Sequence, residues 1–358
     1  MSEDKKRDRK NDETKRRLRR FWSAFAALTI IFCLVWMITS WNCRSADDKL
    51  AAINAARVIP ASEDAGVAYY KLAEDYQPIP IYPPVVNRQT LSLTFQEPWD
   101  SNDYPNLAEW LDEQQDLISK LLDISRIEKC RLAILSDSQQ GYFTNPARLI
   151  RGWVHLLIRS GNLDAGEDRI DDAIEKYTCI LRMGSHMRQQ PVLNYYNNGV
   201  ADESMALRSL EKLITQTELS EKQLTTIEAA LLPAKNKWKQ DSRIMVKVQS
   251  IFEQKERMPP KITDWRRYWK YWKAMSKSNN YLLDGTLRSH LYTLAERRRM
   301  YILIALRRYK NKTGHWPQSL DRIKPSLSNE ILTDPVNNEL FIYELKDKGV
   351  ALSDRGVK

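Results

Sequence analysis

The stretch WVHLLIRSGNLDAGEDRIDDAIEKYTCILRMG, residues 153–184, decides the fold of this chain. Its apolar residues recur every three or four positions, which is the spacing that places them on one face of an α-helix. The same spacing continues outward, from Leu107 to Trp238. We therefore predict a mainly α-helical protein with a bundle of amphipathic helices over residues 106–288.

Three positions in the stretch have a more specific spacing. Gly161 is followed twelve residues later by Ala173 and sixteen residues later by Tyr177. This spacing resembles the tetratricopeptide hairpin, in which a small residue lets two antiparallel helices approach and an aromatic ring fills the gap beside them. One copy is visible, and Asp164 stands where that repeat prefers an aromatic residue. The resemblance implies a tetratricopeptide-like helical hairpin, not an array of repeats.

The same stretch is rich in acids, which raises the question of a calcium loop. A calcium loop starting at Asp164 needs glycine at its sixth position and a ligand at its third, but Arg169 and Gly166 stand there. We therefore interpret the acids as solvated residues at a helix start. They are Asp164, Asp168, Asp171, Asp172 and Glu175.

The N-terminus combines a basic tail with an apolar run. Residues 1–20 hold ten Lys or Arg and five acids, which accounts for half of the net charge of +10. Phe21 to Trp41, FWSAFAALTIIFCLVWMITSW, follows without a charged residue. A helix of this length covers the roughly 30 Å hydrocarbon core of a bilayer. The basic residues before it favour a cytoplasmic N-terminus, so the sequence predicts a single-pass protein of the cytoplasmic (inner) membrane with its bulk outside the cytoplasm.

Other interpretations of this run are a cleaved signal peptide, a lipoprotein signal and a buried core helix behind a nuclear-type basic tail. Signal peptides usually have an apolar region of about 7–15 residues, which is shorter than this run. A lipoprotein signal has small residues before its cysteine, whereas Trp41 and Asn42 precede Cys43. Tryptophans near both ends of the run favour a lasting span, since indole rings prefer the headgroup region.

Residues 46–105 are predicted to form a helix followed by a proline-rich wrap. The helix is interrupted near Pro60 and restarts at Ser62, where a hydroxyl followed by acids is typical of an N-cap. Gln77 to Pro105 contains six prolines, so we expect no helix there. Its many apolar residues favour an ordered wrap against a core over a free linker.

The four cysteines fit an exported location and no metal site. Cys33 lies inside the predicted span and Cys43 at its exit. Cys130 and Cys179 lie in predicted helices of the exported part, where an oxidising compartment would permit a disulfide between them. The alternative is two buried free thiols that pack as small apolar residues.

The segment KERMPPKITDWRRYWKYWK, residues 255–273, is unusually aromatic and basic. If residues 263–275 are helical, the aromatic rings fall on one face and the basic residues on the other. That face is either the core side of a bundle helix, a membrane-interface contact, a glycan platform or a stacking surface for single-stranded nucleic acid. Nucleic acid is disfavoured, because the predicted topology puts the segment outside the cytoplasm. The candidate binding surface comprises Trp265, Tyr268, Trp269, Trp272, Lys270 and Lys273.

Residues 289–358 are predicted to contain a long basic helix, His290 to Lys312, capped by Gly314, and a small β-hairpin. The runs ALRRYKNKTGHWPQSLDRI and LTDPVNNELFIYEL resemble the C-terminal part of the major pseudopilin of type II secretion. They also resemble the ending of large membrane-anchored protein families common in planctomycete bacteria. The resemblance implies a C-terminal α/β-hairpin appendage. The apolar run lacks the glycine and glutamate that serve pseudopilin processing and assembly, so neither pilus assembly nor calcium binding is carried over.

No residue pattern predicts a catalytic, cofactor or metal site. The sequence contains no HExxH, Gly-x-Ser-x-Gly or Walker-type motif. We therefore predict a membrane-anchored extracytoplasmic scaffold or protein-interaction module without catalytic activity, with a protein partner in the bacterial cell envelope. The alternative is an anchored protein that binds or hydrolyses envelope glycan. The four histidines, which are isolated from one another, are His155, His186, His290 and His315.

Overall fold

The computed structural model is mainly helical, as the sequence predicts, and its described part contains one two-stranded sheet. It describes residues 21–34, 37, 46–76, 87–134, 146–233, 236, 238–256, 265–346 and 349–353. The predicted basic tail, residues 1–20, lies outside these ranges.

The N-terminal apolar segment is helical over residues 21–34. Its large side chains are exposed, among them Phe21 and Leu34. Residues 35, 36 and 38–41 of the predicted span lie outside the described residues. Within the described ranges, the structure contains no helix with the length and apolar character needed to cross a membrane. The transmembrane span therefore stays a prediction.

The chain next forms α1 (46–55) and α2 (Ala65–Asp75), separated by a short 3₁₀ turn. The predicted interruption near Pro60 is confirmed, but the cap of α2 is Asp64 and not Ser62. The Asp64 carboxylate accepts a hydrogen bond from the backbone N–H of Gly66 at 2.8 Å and another from that of Arg131 at 2.7 Å. Asp64 therefore caps α2 and ties it to the extended residues around Arg131.

The prediction of a helix-free wrap from Gln77 to Pro105 is wrong for its second half. α3 (Arg88–Gln96) forms there, capped by Asn87, whose side chain accepts a hydrogen bond from the backbone N–H of Thr90 at 2.8 Å. The physical reason is the distribution of prolines, because residues 85–97 contain none. Residues 77–86 lie outside the described part. Two short helices follow, α4 (Pro105–Glu113) and α5 (Gln115–Ser125).

The centre of the protein is a set of alternating helices. α6 (Pro146–Gly166) and α7 (Ile170–Arg188) form a hairpin, followed by α8 (Leu193–Gln216) and α9 (Glu221–Ala230). α10 (Trp238–Glu256) precedes α11 (Trp265–Thr313), which has 49 residues. The predicted helix start at His290 is wrong, and the predicted boundary at residue 288 falls inside α11.

The predicted hairpin at residues 161–177 is present. A β-carbon placed on Gly161 would lie 2.7 Å from the Tyr177 ring, so only glycine lets α6 approach α7 this closely. The Tyr177 ring is buried, and its hydroxyl donates a hydrogen bond to the Asn162 side chain at 2.7 Å. Ala173 is fully buried beside them. The small residue and the ring therefore meet as their spacing predicts.

α8 and the C-terminal part of α11 run parallel. Hydrogen bonds join Tyr196 to His290, Glu203 to Arg297, and Ile214 to Arg307. The separation along the chain stays at 93 or 94 residues over all three contacts, which only parallel helices give. α7 lies antiparallel to both α6 and α8, so α6, α8 and α11 share one direction.

α10 joins the N-terminal part of the chain to the central helices. Its buried Met245 packs with Leu193 and Tyr196 at the start of α8. Farther along, Val248 and Ile251 of α10 pack with α1 in a second cluster. α10 therefore holds α1 close to the N-terminal end of α8.

The C-terminal appendage lies at the opposite end of α8. The C-cap of α11 is Gly314, as predicted. Its φ of +82° suits glycine. After α12 (Asn329–Leu332) and a turn at Asp334, β1 (Ile342–Lys346) pairs antiparallel with β2 (Gly349–Ser353). A β-carbon at Gly349 would lie 3.6 Å from the carbonyl oxygen of Thr215, which places the hairpin against the last turns of α8.

Candidate functional site

The predicted aromatic surface lies at the start of α11. The backbone there is helical, but the side chains of residues 265–282 lie outside the described part of the structure. The aromatic surface therefore stays a prediction. It comprises Trp265, Tyr268, Trp269, Trp272, Lys270 and Lys273.

The histidines lie apart from one another, on three helices and one turn. His186 is buried, and its ring contacts the Tyr69 hydroxyl at 3.0 Å and the carbonyl oxygen of Ile127 at 2.6 Å. Because a carbonyl only accepts, Nε2 carries the proton and Nδ1 accepts from Tyr69. Burial lowers the pKa of His186 to about 4, and the pKa values of His155 and His290 fall to about 4 for the same main reason. These three rings are therefore neutral packing groups at pH 7.

The sequence led us to expect that all the acids around the α6–α7 turn are solvated. The structure shows that not all of them are. Asp164 is 3% exposed and accepts hydrogen bonds from Arg169, whose Nε lies at 2.9 Å. Lys176 donates to its other oxygen. Asp171 and Asp172 are exposed. Asp164 therefore ties the turn to α7, and no group of metal-ligating residues occurs among the described side chains.

Two of the cysteines are buried free thiols. Cys130 lies outside a helix, contrary to the prediction, in the extended residues after α5, and Cys179 lies in α7. Burial raises the pKa of Cys179 to about 12 and raises that of Cys130 well above its usual value. The alternative of packed thiols is therefore the one that the structure has. Cys43 lies outside the described residues.

The most deeply buried charges form a network that sequence reasoning missed. Glu203 of α8 is 1% exposed and accepts hydrogen bonds from Arg297 at 2.7 and 2.9 Å and from Arg188 at 2.7 Å. Arg188 also donates to the Tyr196 hydroxyl at 3.3 Å, and that hydroxyl contacts His290 at 2.7 Å. The network joins α7, α8 and α11, and its members satisfy one another. These buried side chains hold the three helices together, and we call them the structural clamp.

Asp202, the residue before Glu203, is a second buried acid. It is fully buried, and one carboxylate oxygen contacts Arg151 at 3.2 Å while the other has no hydrogen-bond partner among the described residues. Burial raises the pKa of Asp202 to about 7, and the half-exposed Arg151 offsets only part of this effect. Asp202 therefore changes charge near neutral pH.

An open groove lies between α6 and α8 and begins about one turn after Asp202 along α8. We call it the α6/α8 groove. It encloses about 400 Å³. α3 covers one end of it, since Asn162 of α6 donates to the carbonyl oxygen of Thr94 at 3.0 Å. The groove has an apolar floor and a polar, basic rim. Its lining residues are Phe95, Gln96, Ile158, Met205, Arg208, Ser209 and Lys212.

The rim of the α6/α8 groove carries two cations from one face of α8. Arg208 has a side chain that is 66% exposed and lies 3.4 Å from Glu296. Lys212 contacts Glu97 at 2.5 Å and the backbone carbonyl of Gln96 at 2.6 Å. Arg208 is thus the cation more accessible to a ligand, while Lys212 is held by α3.

A second groove, of about 280 Å³, lies between α7 and α9. Its acids are engaged within the protein, since Asp171 accepts a hydrogen bond from Gln223 at 2.7 Å and Glu175 pairs with Arg126 at 2.5 Å. A glycoside hydrolase needs two carboxyl groups that face a substrate. Neither groove in the described part of the chain presents such a pair, because the α6/α8 groove has no acid in its lining.

The sequence carried no signal for the α6/α8 groove. Phe95 lies in the passage for which no helix was expected, and Met205 looks like any other apolar helix residue. Only the approach of three separate elements brings Phe95, Ile158 and Met205 together.

Comparison with known proteins adds no relative. No family model matches the chain, and neither a curated protein nor a solved structure matches it.

Proposed function

We propose that this chain is a membrane-anchored, extracytoplasmic interaction module that binds a protein of the cell envelope through the α6/α8 groove. The groove itself is the observation that carries the proposal. It is open, about 400 Å³ in volume, and supported on three sides by the rigid helices α3, α6 and α8.

The chemistry of the groove favours one kind of occupant. Met205 and Phe95 supply an adaptable apolar floor, and methionine fits varied side chains because it is flexible and polarisable. Arg208 and Lys212 make the rim basic. A segment of a partner protein that has an apolar anchor flanked by acidic side chains would match both features, since charge complementarity gives specificity.

A partner protein fits this groove better than an envelope glycan. Glycan platforms depend on exposed aromatic rings, and the groove lining has a single ring, Phe95, which packs against His155 at 5.0 Å between ring centroids. The predicted glycan function would instead have to use the aromatic face at the start of α11.

The anchor is the apolar run Phe21 to Trp41 with its basic N-terminal tail. The exposed apolar side chains of residues 21–34 support it, because a soluble protein rarely exposes a continuous apolar surface. In this proposal the α6–α7 pair serves as a tetratricopeptide-like hairpin, and residues 289–358 include a pseudopilin-like ending.

The test is capture of envelope proteins with a photo-cross-linking amino acid at Ser209, in the full-length chain in membranes. A partner of the groove should cross-link at Ser209 and be lost in the variant Arg208→Glu. The control Arg322→Glu, on an exposed turn of the appendage, should retain it. An identical set of cross-linked proteins in all three chains would contradict the proposal.

A further inference from the structure

The outer face of α10 combines exposed basic and apolar side chains. Lys239, Arg243 and Lys247 repeat every four residues, so they lie along one side of the helix. On the same side, Val246 is 45% exposed. Among the described residues, none of the three cations has an ion-pair partner. This face is therefore charged, partly apolar and without an ion pair to the described part of the chain.

The inner face of α10 makes the packing contacts of this helix, which leaves its outer face exposed. Met245, Val248 and Ile251 are buried against α8 and α1. They already satisfy the packing of an amphipathic helix. The exposed Val246 is an addition to that pattern, and an exposed aliphatic residue beside cations is typical of helices that lie on a membrane surface.

The position of α1 brings α10 close to the end of the predicted span. Ala46, the first residue of α1, is fully buried in the cluster that holds Val248 and Ile251 of α10. Ala46 lies five positions after Trp41, and an extended chain of that length reaches about 17 Å at most. Since a helix is itself about 10 Å wide, α10 would lie in or beside the headgroup layer.

The charges near this junction point to α10 as the basic contact. α1 begins with Asp47 and Asp48, so its own start offers no attraction to anionic headgroups. Each Lys or Arg near an anionic membrane surface adds to binding. The three cations of α10 therefore supply the attraction, and the exposed Val246 can insert among the headgroups.

We propose that the outer face of α10 lies on the bilayer surface and binds anionic lipid headgroups, which fixes the orientation of the whole module. This inference rests on the proposed membrane anchor. The β-hairpin lies at the other end of α8 from α10, because it contacts Thr215 while α10 contacts Tyr196. These positions are separated by about 29 Å along α8 at 1.5 Å per residue. The α6/α8 groove lies along the half of α8 farther from α10.

The test uses the full-length chain with Cys33→Ser and Cys43→Ser, reconstituted in nanodiscs of phosphatidylglycerol and phosphatidylcholine. A bimane label is attached at Val246→Cys or, as the matched control, at Leu345→Cys, a similarly exposed aliphatic position on β1. Lipids with a spin-labelled headgroup should quench the first label at least twofold and leave the second unchanged. The buried Cys130 and Cys179 stay unlabelled.

Three outcomes decide the inference. Reversing the three charges of α10 to glutamate, or removing phosphatidylglycerol, should abolish the quenching at residue 246. Equal quenching at both positions, or none at residue 246, would overturn the proposed contact. Resistance to carbonate extraction, measured on the same chain, reports the anchor separately, so loss of quenching with an intact anchor sinks only this inference.

Discussion

Gly184 of α7 and Gly199 of α8 lie against each other's backbone. A β-carbon on Gly199 would lie 2.5 Å from the carbonyl oxygen of Gly184, and one on Gly184 would lie 2.9 Å from that of Gly199. No side chain fits between the two helices at this point. Arg188 and Glu203 each lie one turn after the glycine of their own helix. The close approach brings Arg188 within reach of Glu203.

We expect Gly199→Ala to lower the free energy of unfolding by about 1–3 kcal/mol, because the added methyl group forces α7 and α8 apart. Gly285→Ala is the control, since nothing lies within 4 Å of a β-carbon there in α11. That change should be neutral or raise stability by up to about 1 kcal/mol. Urea denaturation of both variants measures the difference, and destabilisation of equal size would argue against the glycine contact.

The unfolding free energy should depend on the charge state of His186. Its folded-state pKa of about 4 lies below the unfolded value of about 6.5, so the unfolded chain binds the proton first as the pH falls. Stability is therefore lost from pH 6.5 down to pH 4, by at most about 1.4 kcal/mol per pH unit for this group. In His186→Gln the slope over this window should be smaller. An unchanged slope would mean that His186 is solvated.

Asp202 should have the opposite dependence on pH. Its folded-state pKa of about 7 lies above the unfolded value of about 3.9, so stability is lost as the pH rises between these values. Asp202→Asn removes that loss and keeps an oxygen that can accept from Arg151. The variant should therefore become more stable relative to the native chain from pH 4 to pH 7. Denaturant titrations at three pH values would show a constant difference if Asp202 were ionised in the fold.

Glu203→Gln should be strongly destabilising. Burial raises the pKa of Glu203, but Arg297 and Arg188 more than offset this effect, so the net shift is downward and the group is ionised. Removing its charge leaves two buried guanidinium groups without an anion, which costs about 3–5 kcal/mol. Asp116→Asn, in an exposed pair with Lys120, is the control and should change little. Similar melting of the two variants would refute the structural clamp.

The parts of the fold that could be predicted from the sequence depend on residues that are close together along the chain. Apolar periodicity gave the helices, the spacing of Gly161 and Tyr177 gave the α6–α7 hairpin, and Gly314 gave the end of α11. α3 was missed because the prolines on either side of it hid a run free of proline.

The candidate site could not be predicted, because its parts are far apart along the chain. The α6/α8 groove joins Phe95, Ile158 and Met205, and the clamp joins Glu203 to Arg297 across 94 residues. From the sequence alone, a glutamate and an arginine are each expected at the surface. Only the fold shows that Glu203 and Arg297 are buried together. The membrane contact proposed for α10 likewise depends on the position of α1, which the sequence does not give.

The most direct test of the account is the topology of the whole chain. Alkaline phosphatase fused after residue 353, at the end of β2, should be active, whereas a reporter that fluoresces only in the cytoplasm should stay dark at the same position. The fusion protein should also remain with membranes in carbonate. A dark phosphatase with a bright cytoplasmic reporter, or release of a shortened soluble chain, would contradict the membrane-anchored, extracytoplasmic module proposed for this protein.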